Sequence, residues 1–485
     1  MYQVEKKFDY DVIVCGGGTA GVAAAIASAR VGASTLLIER LGALGGQMNV
    51  SGPPGFAYAR LFNNFGEQII GGIIEETHAR LLAEGHAEPH NKFIYRKYSS
   101  YSFSYIDPEW WGLLIYDMMV ENNVDLLLHS LVVDVVKEGD RVTGVVVENA
   151  NGRLTFNAKV VIECTGEGDI AARAGCECEE IAREEIQPHS LAFTADGVDW
   201  DKVLAFVHEH SEEVRTIQAE RLPEGKKRPP EDSQEMIKRM NDPLDFGEIM
   251  GFPSLVKMGR ETGEWHEYSG IGFFMTPKGN GVVEAHFQHS AQIPKLMSYD
   301  AWDLTAAEVE LRRQIRIAFT FFKKHFPGFE NAYIVKICPE VRLRDGRRVV
   351  GDYMLTTEDI RDSARFYDVI GLNSMVSGGH HVASNETLTT TSTPNAVGGS
   401  NDIPYRVLVP KKIENLLVAG KHVSATRDAY MRFLMQTMVT GQAAGAAAAL
   451  CVKKGVTPRE LEAPEHIKEL QEILLSQGVI LGGVH

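Results

Sequence analysis

The feature that most constrains this chain is a glycine-rich turn between an apolar strand and an alanine-rich helix near the N-terminus. Residues 10–14 have the β-branched composition of a buried parallel strand, and residues 22–31 are rich in alanine. Gly16, Gly18 and Gly21 stand between them with the G-x-G-x-x-G spacing. In this setting the first glycine permits a tight turn, the second lets the backbone approach a pyrophosphate, and the third lets helix and strand pack closely. The pattern predicts a dinucleotide site and disfavours a turn that binds nothing.

The residues that follow favour FAD over NAD. A second predicted strand, residues 34–38, leads to Glu39, whose carboxylate can accept hydrogen bonds from an adenosine ribose. NAD and FAD sites share these features. A nicotinamide domain would normally continue into another helix–strand repeat, whereas residues 41–47 form a further glycine-rich turn. We therefore predict an FAD site, with the flavin attached non-covalently.

Three segments resemble the glutathione-reductase-type FAD fold. Residues 10–46 look like its amino-terminal half. Residues 157–166, a strand followed by a Thr-Gly turn, are similar to its second FAD signature. Residues 415–425 resemble its last flavin-binding strand, which precedes a helix whose start faces the isoalloxazine.

Further segments resemble the FAD-dependent oxidoreductase family, single-flavin dehydrogenases and reductases related to fumarate-reductase flavoproteins. They are residues 344–353, 403–406 and 440–445, and the similarity extends over nearly the whole chain. The sequence departs from the family's usual Arg-Glu-x-Arg-Arg pattern at Asp345, and Asn49 stands where threonine is common. The resemblance implies an α/β fold, in which a Rossmann-like FAD-binding domain of the glutathione-reductase type carries an inserted mixed α+β substrate domain.

The resemblance also implies which residues contact the cofactor. A helix N-terminus supplies N–H groups and a partial positive charge for the phosphates. A strand meander, predicted here within residues 131–156, lies over the adenine in the flavin fold. The expected cofactor-binding residues are Gly16, Gly17, Gly18, Ala20, Gly21, Glu39, Arg40, Gly45, Gly46, Gln47, Val132, Thr165, Gly166, Gly420, Ala425, Met435 and Gln436.

The expected flavin domain is discontinuous along the chain. We predict its first part at residues 1–185 and its second part, with the active-site loops, at residues 335–460. A substrate domain is expected between them at residues 186–334, and a C-terminal helix or tail at residues 461–485. Residues 305–308 have a capping-box pattern that predicts the start of a helix.

Composition narrows the classes of function. The 485 residues are 44% hydrophobic and 24% charged, as in ordinary globular proteins, and the net charge of −16 disfavours nucleic-acid binding. We see no predicted membrane span and no signal peptide, so a cytoplasmic protein is expected. The six cysteines are too sparse for a disulfide framework and lack the spacing of zinc or iron–sulfur ligands, so no metal is expected.

The chemistry of a flavin dehydrogenase suggests further candidates. The enzyme needs positive charge near the reduced ring and a group that moves a proton. Arginines can hold a substrate carboxylate, and histidines titrate near neutral pH. Each candidate also has a structural interpretation, as an ion pair, a domain-fixing salt bridge or a solvent-facing histidine. The candidate catalytic residues, expected to surround a substrate beside the flavin, are Arg344, Arg347, Tyr405, Arg406, Arg432, and His380 and His381 in a predicted flexible loop.

These observations predict an enzyme, an FAD-dependent dehydrogenase or reductase that exchanges a hydride between flavin N5 and a small polar or anionic molecule. No second strand–GxGxxG–helix unit and no C-x-x-C pair follow, so we expect a diffusible electron donor or acceptor. Two alternatives remain: a flavoprotein of RNA modification or with a mainly structural cofactor, and a flavin monooxygenase. The sequence leaves open the substrate, the direction of the reaction, the proton-moving residue and the oligomeric state, a homo-oligomer included.

Overall fold

A computed structural model describes residues 6–52, 58–59, 61–63, 65–95, 99–215, 248–278, 283–374, 377–381, 389–393, 399–429 and 431–485. For residues 91–95, 99–103, 214–215, 248, 277, 377–381 and 389–393 it describes the backbone alone.

The α-helices of the described residues are α1 (Thr19–Val31), α2 (Ile73–Ala83), α3 (Pro108–Glu121), α4 (Asp169–Ala174), α5 (Trp200–Glu209), α6 (Pro253–Glu261), α7 (Ala301–His325), α8 (Thr357–Arg361), α9 (Leu434–Lys454) and α10 (Pro464–Ser476). The strands of the first half are β1 (Asp9–Cys15), β2 (Thr35–Ile38), β3 (Tyr58–Ala59), β4 (Asn91–Tyr95), β5 (Ser99–Ser104), β6 (Asp125–Leu127), β7 (Leu131–Glu138), β8 (Arg141–Asn149), β9 (Gly152–Glu163), β10 (Cys178–Glu179), β11 (His189–Ser190), β12 (Phe193–Asp196) and β13 (Val214–Arg215). Those of the second half are β14 (Glu248–Gly251), β15 (Ile271–Pro277), β16 (Val283–Phe287), β17 (Gln292–Ile293), β18 (Tyr333–Ile337), β19 (Arg348–Val349), β20 (Val369–Asn373), β21 (Ser377–His381), β22 (Thr389–Thr393), β23 (Asn401–Pro404) and β24 (Leu416–Val418).

The main sheet has the predicted first strand near its centre. Its strand order is β6-β2-β1-β9-β8-β7, with β24 also paired to β9. β1 runs parallel to β2 and to β9, so that Ile13 lies opposite Leu36 and Val161. β8 pairs with the first half of β9, and β24 takes its place along the second half. The parallel strands and the meander expected from the sequence are both confirmed.

Two helices cover one face of this sheet, and their close approach depends on glycine. α1 packs against α9 along much of its length. A Cβ on Gly441 would lie against the Ala20 carbonyl group and 2.9 Å from the Ala20 Cα. A Cβ on Gly445 would stand 2.9 Å from the Ala24 Cα. These two glycines therefore let the backbones of α1 and α9 touch, which fixes the relative position of the two helix N-termini.

A second, antiparallel sheet has the order β13-β14-β15-β16-β12-β18. Its core is aromatic: Phe193 stacks on Phe287 with ring centroids 4.3 Å apart, and Phe273 meets Phe322 of α7 edge-on at 5.7 Å. Ala285 and Phe287 of β16 belong to this core. Because side chains alternate along a strand, His286 projects from the opposite face of the sheet.

Two local predictions differ from the structure. α7 begins at Ala301, before the capping-box pattern at residues 305–308, because the Asp300 carboxylate accepts hydrogen bonds from the N–H groups of Trp302 and Asp303. Residues 380 and 381 lie in β21, which pairs with β22, and so their backbone is a strand rather than a flexible loop. The expected C-terminal helix is present as α10.

Candidate functional site

The glycine turn between β1 and α1 has room on one side only. Gly16 has a φ of +102°, and a Cβ there would lie 2.5 Å from the carbonyl oxygen of Cys164. A Cβ on Gly21 would meet the Gly16 carbonyl oxygen. A Cβ on Gly18 would have none of the described atoms within 4 Å. Gly16 and Gly21 are therefore needed for packing within the turn, whereas Gly18 faces open space where a ligand can approach.

α1 begins beside that space, and its N-terminus can bind an anion there. Gly18 is the N-cap residue and offers no side-chain hydrogen bond, and the first turn holds no acidic residue. The first N–H groups of a helix lack partners within the helix and carry a partial positive charge. An uncapped helix start beside a glycine-lined space is the arrangement that binds phosphate groups.

Glu39 and the turn after it close one side of this space. The Glu39 carboxylate accepts a hydrogen bond from the Gly17 N–H at 2.6 Å, and burial raises its pKa above the ordinary value. Gly45 N–H donates to the Gly17 carbonyl oxygen at 2.7 Å. The Gln47 amide donates to the Leu343 carbonyl oxygen at 2.7 Å, which links this turn to residues 342–348, here called the arginine-rich segment. Arg40, in contrast, forms an ion pair with Glu340 at 2.5 Å.

The second expected signature is held by a buried carboxylate. Glu163, at the end of β9, accepts hydrogen bonds from the N–H and hydroxyl groups of Thr165, each at 2.6 Å. Burial alone would raise the pKa of Glu163, but the adjacent His422 imidazole and these hydrogen bonds hold it below the ordinary value. Gly166 has a φ of +95°, and a Cβ there would meet none of the described atoms within 4 Å. The Thr165–Gly166 turn thus presents a second glycine to open space.

The start of α9 supplies the last part of the expected flavin site. Its N-cap residue, Phe433, offers no side-chain hydrogen bond to the first turn. Gln436 donates to Asn373 Oδ1 at 3.1 Å, while its own Oε1 and the Thr426 hydroxyl are buried without a hydrogen-bond partner in the described part of the chain. Gly420 has a φ of +115° and donates its N–H to Thr440 Oγ1 at 3.2 Å.

These residues fit FAD. A pyrophosphate can occupy the space at Gly18, and a ring with polar edges can satisfy the orphaned oxygens near α9. The remaining expected contacts lie on the same elements: a Cβ on Gly46 would stand 3.0 Å from the Gly18 Cα. Four others are buried in α1, β7, the segment before α9 and α9 itself, namely Ala20, Val132, Ala425 and Met435.

A polar cluster of buried and half-buried side chains lies between the second sheet and the start of α9. It contains two of the predicted arginines and four residues that the sequence analysis did not single out. We call it the histidine–arginine cluster; its members are His189, His286, His289, Arg342, Arg344 and Arg432.

Backbone and side-chain hydrogen bonds hold the cluster in place. The Arg344 guanidinium donates to the Pro188 carbonyl oxygen at 2.5 Å, and its N–H donates to His189 Nδ1 at 3.3 Å. Arg432, two residues before α9, donates to the Gln187 side-chain oxygen at 3.1 Å. The cluster therefore joins the segment before β11, the arginine-rich segment and the start of α9.

The histidines of the cluster are neutral and surrounded by positive charge. Burial and then the charges of Arg344, Arg342 and Arg432 lower the pKa of His289 well below its ordinary value. Burial and Arg342 lower the pKa of His286 to about 3, and its Nε2 has no hydrogen-bond partner in the described structure. A buried pocket that combines guanidinium groups with neutral imidazoles is suited to an anionic ligand.

The structure places the other predicted catalytic residues elsewhere. Arg347 pairs with Asp169 at 2.9 Å and lies over the Tyr299 ring. Tyr405 is fully buried, and its hydroxyl donates to the Pro458 carbonyl oxygen at 2.9 Å. Arg406 pairs with Asp368 at 2.9 Å. None of these contacts is made with a member of the histidine–arginine cluster, and the catalytic roles of the three residues stay predictions. The side chains of His380 and His381 lie outside the described part of the structure.

The missed histidines had a weak signal in the sequence. Positions 286, 288 and 290 hold His, Gln and Ser and alternate with Ala285 and Phe287, which assigns them to one face. His289 lies beyond the end of β16 and outside this alternation. Which of these side chains meets Arg344 and Arg432 depends on how the second sheet docks, and local sequence does not specify this.

An uncapped helix behind a glycine turn, two further glycine turns and a cluster of arginines and histidines fit a flavin-dependent oxidoreductase. Comparison with known families agrees: a model described as "FAD dependent oxidoreductase" matches residues 11–474. The chain belongs to this family. None of the curated proteins compared with the sequence matches it significantly.

Several solved structures are similar in fold. A geranylgeranyl bacteriochlorophyll reductase-like protein from Thermoplasma acidophilum is 14% identical, with 97% of this chain and 84% of that one covered and a TM-score of 0.43. p-Nitrophenol 4-monooxygenase PnpA from Pseudomonas putida DLL-E4 is 12% identical, with 97% and 89% covered and a TM-score of 0.47. GidA from Aquifex aeolicus is 16% identical, with 93% and 65% covered and a TM-score of 0.44. At these values the likeness carries no argument about activity. No α-helix within the described ranges is long and apolar enough to cross a membrane.

Proposed function

We propose that the protein is a dehydrogenase or reductase that exchanges a hydride between FAD and a small anionic organic molecule. The observation that carries this proposal is the histidine–arginine cluster, because it brings one buried and two half-buried arginines to buried histidines beside the start of α9. In the proposed arrangement, FAD lies across the three glycine turns and supplies a ring nitrogen that accepts or donates the hydride.

The cluster gives each side chain a distinct task. Arg344 and Arg432 bind the substrate carboxylate, since guanidinium groups make paired hydrogen bonds without titrating. A bound carboxylate offsets the positive charge around His289 and so raises its pKa toward neutrality. His289 can then take or return the proton that accompanies hydride transfer. His380 and His381 stay alternative candidates for that proton.

We further propose the finer organisation expected from the sequence. The flavin domain is of the glutathione-reductase type and comprises residues 1–185 and 335–460, with the substrate domain inserted at residues 186–334 and a tail at 461–485. The order of the strands supports this division, because the second sheet lies in the chain between β9 and β24, which are neighbours in the main sheet. A diffusible electron partner and a cytoplasmic location belong to the same proposal.

An anaerobic substrate screen tests the proposal. The FAD-loaded protein is mixed without oxygen with a panel of small carboxylic acids and their uncharged amides, and the visible flavin bands are followed. We expect bleaching, or reoxidation of the photoreduced protein, by carboxylates but not by their amides. A monooxygenase would respond differently: its flavin would be reduced by a nicotinamide nucleotide and would form a hydroxylated product only with oxygen.

Paired variants locate the substrate. Arg344→Gln removes a guanidinium from the cluster, and Arg347→Gln removes one that is held by Asp169 outside it. The first should raise the substrate KM at least about tenfold while FAD content is kept, and the second should leave KM unchanged within about twofold. Equal effects of the two substitutions would contradict this placement of the substrate.

A further inference from the structure

A group of metal-ligand side chains lies away from the flavin site, at α2. Glu75 and His78 are three residues apart and share one face of this helix, and His90 lies in the segment before β4. His90 Nε2 is 3.1 Å from Glu75 Oε2, and His78 Nδ1 is 3.8 Å from Glu75 Oε1. One ligand atom from each residue lies within 4.8 Å of the others. Ligands about 2.0–2.1 Å from a tetrahedral zinc ion are about 3.3 Å apart, so a small adjustment brings all three to one ion.

Hydrogen bonds fix the orientation of His78. Its Nε2 is 2.9 Å from the Glu88 carbonyl oxygen and 2.7 Å from the Ser104 hydroxyl oxygen. Because a carbonyl oxygen only accepts, Nε2 carries a proton and donates it there. The other ring nitrogen, Nδ1, faces the Glu75 carboxylate. Metal-bound histidines have this same arrangement, with the second ring nitrogen donating to a carbonyl or carboxylate oxygen.

The imidazole rings of His78 and His90 are stacked beside the Glu75 carboxylate, with ring centroids 3.8 Å apart and planes at 21°. The stacking brings one nitrogen of each ring and one oxygen of the carboxylate within 4.8 Å of one another. A single ion can therefore reach all three side chains.

The surroundings suit a site that an ion can enter. Tyr58 packs beside the His78 ring, with centroids 5.6 Å apart, and Phe62 meets the His90 ring edge-on at 5.4 Å. The His78 side chain is 2% exposed, whereas the Glu75 side chain is 35% exposed. The ligands are therefore backed by aromatic rings on one side and open to water on the side of Glu75.

From this geometry we infer that Glu75, His78 and His90 form a binding site for one divalent transition-metal ion of the zinc class. Two imidazoles and a carboxylate are a recognised zinc donor set, in which water completes the coordination. Cysteine spacing predicts no metal site, and this site contains no cysteine. The ion would join α2 to the segment before β4. The same helix also contacts α9, because the Ile73 N–H at the start of α2 donates a hydrogen bond to the Gln442 side-chain oxygen at 3.0 Å.

Calorimetric titration with zinc chloride tests the inference. The full-length, FAD-loaded protein is stripped with a chelator, dialysed and titrated, and we expect one ion to bind per chain. Cobalt(II) in place of zinc should give visible absorption typical of a four- or five-coordinate site. Absence of binding by both ions would overturn the inference.

Matched variants assign the ion to this cluster. Glu75→Gln, His78→Asn and His90→Asn should each abolish the stoichiometric binding, whereas Glu76→Gln should retain it, because Glu76 pairs with Arg30 outside the cluster. Zinc should raise the unfolding temperature of the wild type and of Glu76→Gln, but not that of the three variants at the proposed ligands. If a histidine variant fails to fold, the nearly isosteric Glu75→Gln decides, and unchanged zinc binding in Glu75→Gln would contradict the assignment. FAD content and flavin reduction are measured separately, so failure of the metal site leaves the proposed function untouched.

Discussion

Replacing Gly441 with alanine should weaken both the fold and the binding of FAD. Gly441 lies in α9 where that helix touches α1, and a Cβ there would stand 2.9 Å from the Ala20 Cα and press on the Ala20 carbonyl group. Carbon atoms that are not bonded prefer a separation of about 3.5–4.0 Å. The helices must therefore move apart locally by about 0.6–1.1 Å, the difference between these distances.

Two opposing contributions decide whether Gly441→Ala raises or lowers the free energy of unfolding. Alanine is favoured over glycine inside a helix by about 0.5–1 kcal/mol. Adding a carbon to a well-packed core costs about 1–3 kcal/mol. The difference between these ranges is about 0–2.5 kcal/mol, so the clash should prevail and the free energy of unfolding should fall by about 1 kcal/mol. Because Ala20 follows the N-terminus of α1 so closely, the same displacement should loosen the phosphate-binding turn and weaken FAD binding.

Urea unfolding and FAD titration measure the two effects, with Gly112→Ala as the matched control. Gly112 is also helical, but its Cβ would meet the Asn49 side-chain amide at 2.5 Å, and that amide can rotate away. We expect a lower unfolding midpoint and a raised FAD Kd in Gly441→Ala, with little change in Gly112→Ala. A Gly441→Ala protein as stable as the wild type, with unchanged FAD affinity, would refute the reasoning.

Three further outcomes are expected. Gly18→Val should abolish FAD loading while circular dichroism of the apoprotein stays that of the wild type, because the added side chain enters space that none of the described atoms occupies; stoichiometric FAD in this variant would contradict the site. Arg432→Gln, like Arg344→Gln, should raise KM for an anionic substrate without loss of FAD, as steady-state kinetics would reveal. The free energy of unfolding should fall as the pH drops below about 6.5. The unfolded chain then binds a proton at His286, whereas the buried imidazole of the folded protein binds none until the pH approaches its pKa of about 3. The free energy lost through this one group is at most about 1.4 kcal/mol for each pH unit. In His286→Gln the urea midpoint should therefore fall less between pH 7 and pH 4 than in the wild type. An unchanged slope would show that the proton binds elsewhere.

The parts of the fold that the sequence predicted are those determined by neighbouring residues. The turn at Gly16–Gly21, the strand before it and the helix after it form one continuous segment, and the β-branched run alone defines a buried parallel strand. The second signature is equally local, since Glu163 holds the Thr165–Gly166 turn two residues away. Family resemblance then linked these segments to FAD.

The pocket was harder to predict because its members are far apart in the chain. Arg344 and His189 are 155 residues apart, and they meet only when β11 and the arginine-rich segment pair through an isolated bridge between Ser190 and Arg342. Arg347 shares a short segment with Arg344 but points to Asp169, a difference that spacing does not reveal. Tyr405 likewise lies next to the predicted site in sequence yet is buried against Pro458. Tertiary packing, rather than the local pattern, decides these roles.

The most direct measurement is the rate of anaerobic flavin reduction by the best carboxylate from the screen, compared with the same compound deuterated at the carbon that loses hydride. Stopped-flow absorbance of the FAD-loaded wild type should give single-turnover reduction that deuteration slows. Arg344→Gln should need more substrate to reach the same limiting rate and should keep the isotope effect. Reduction that requires a nicotinamide nucleotide, with no response to any carboxylate in the absence of oxygen, would contradict the proposed dehydrogenase or reductase activity.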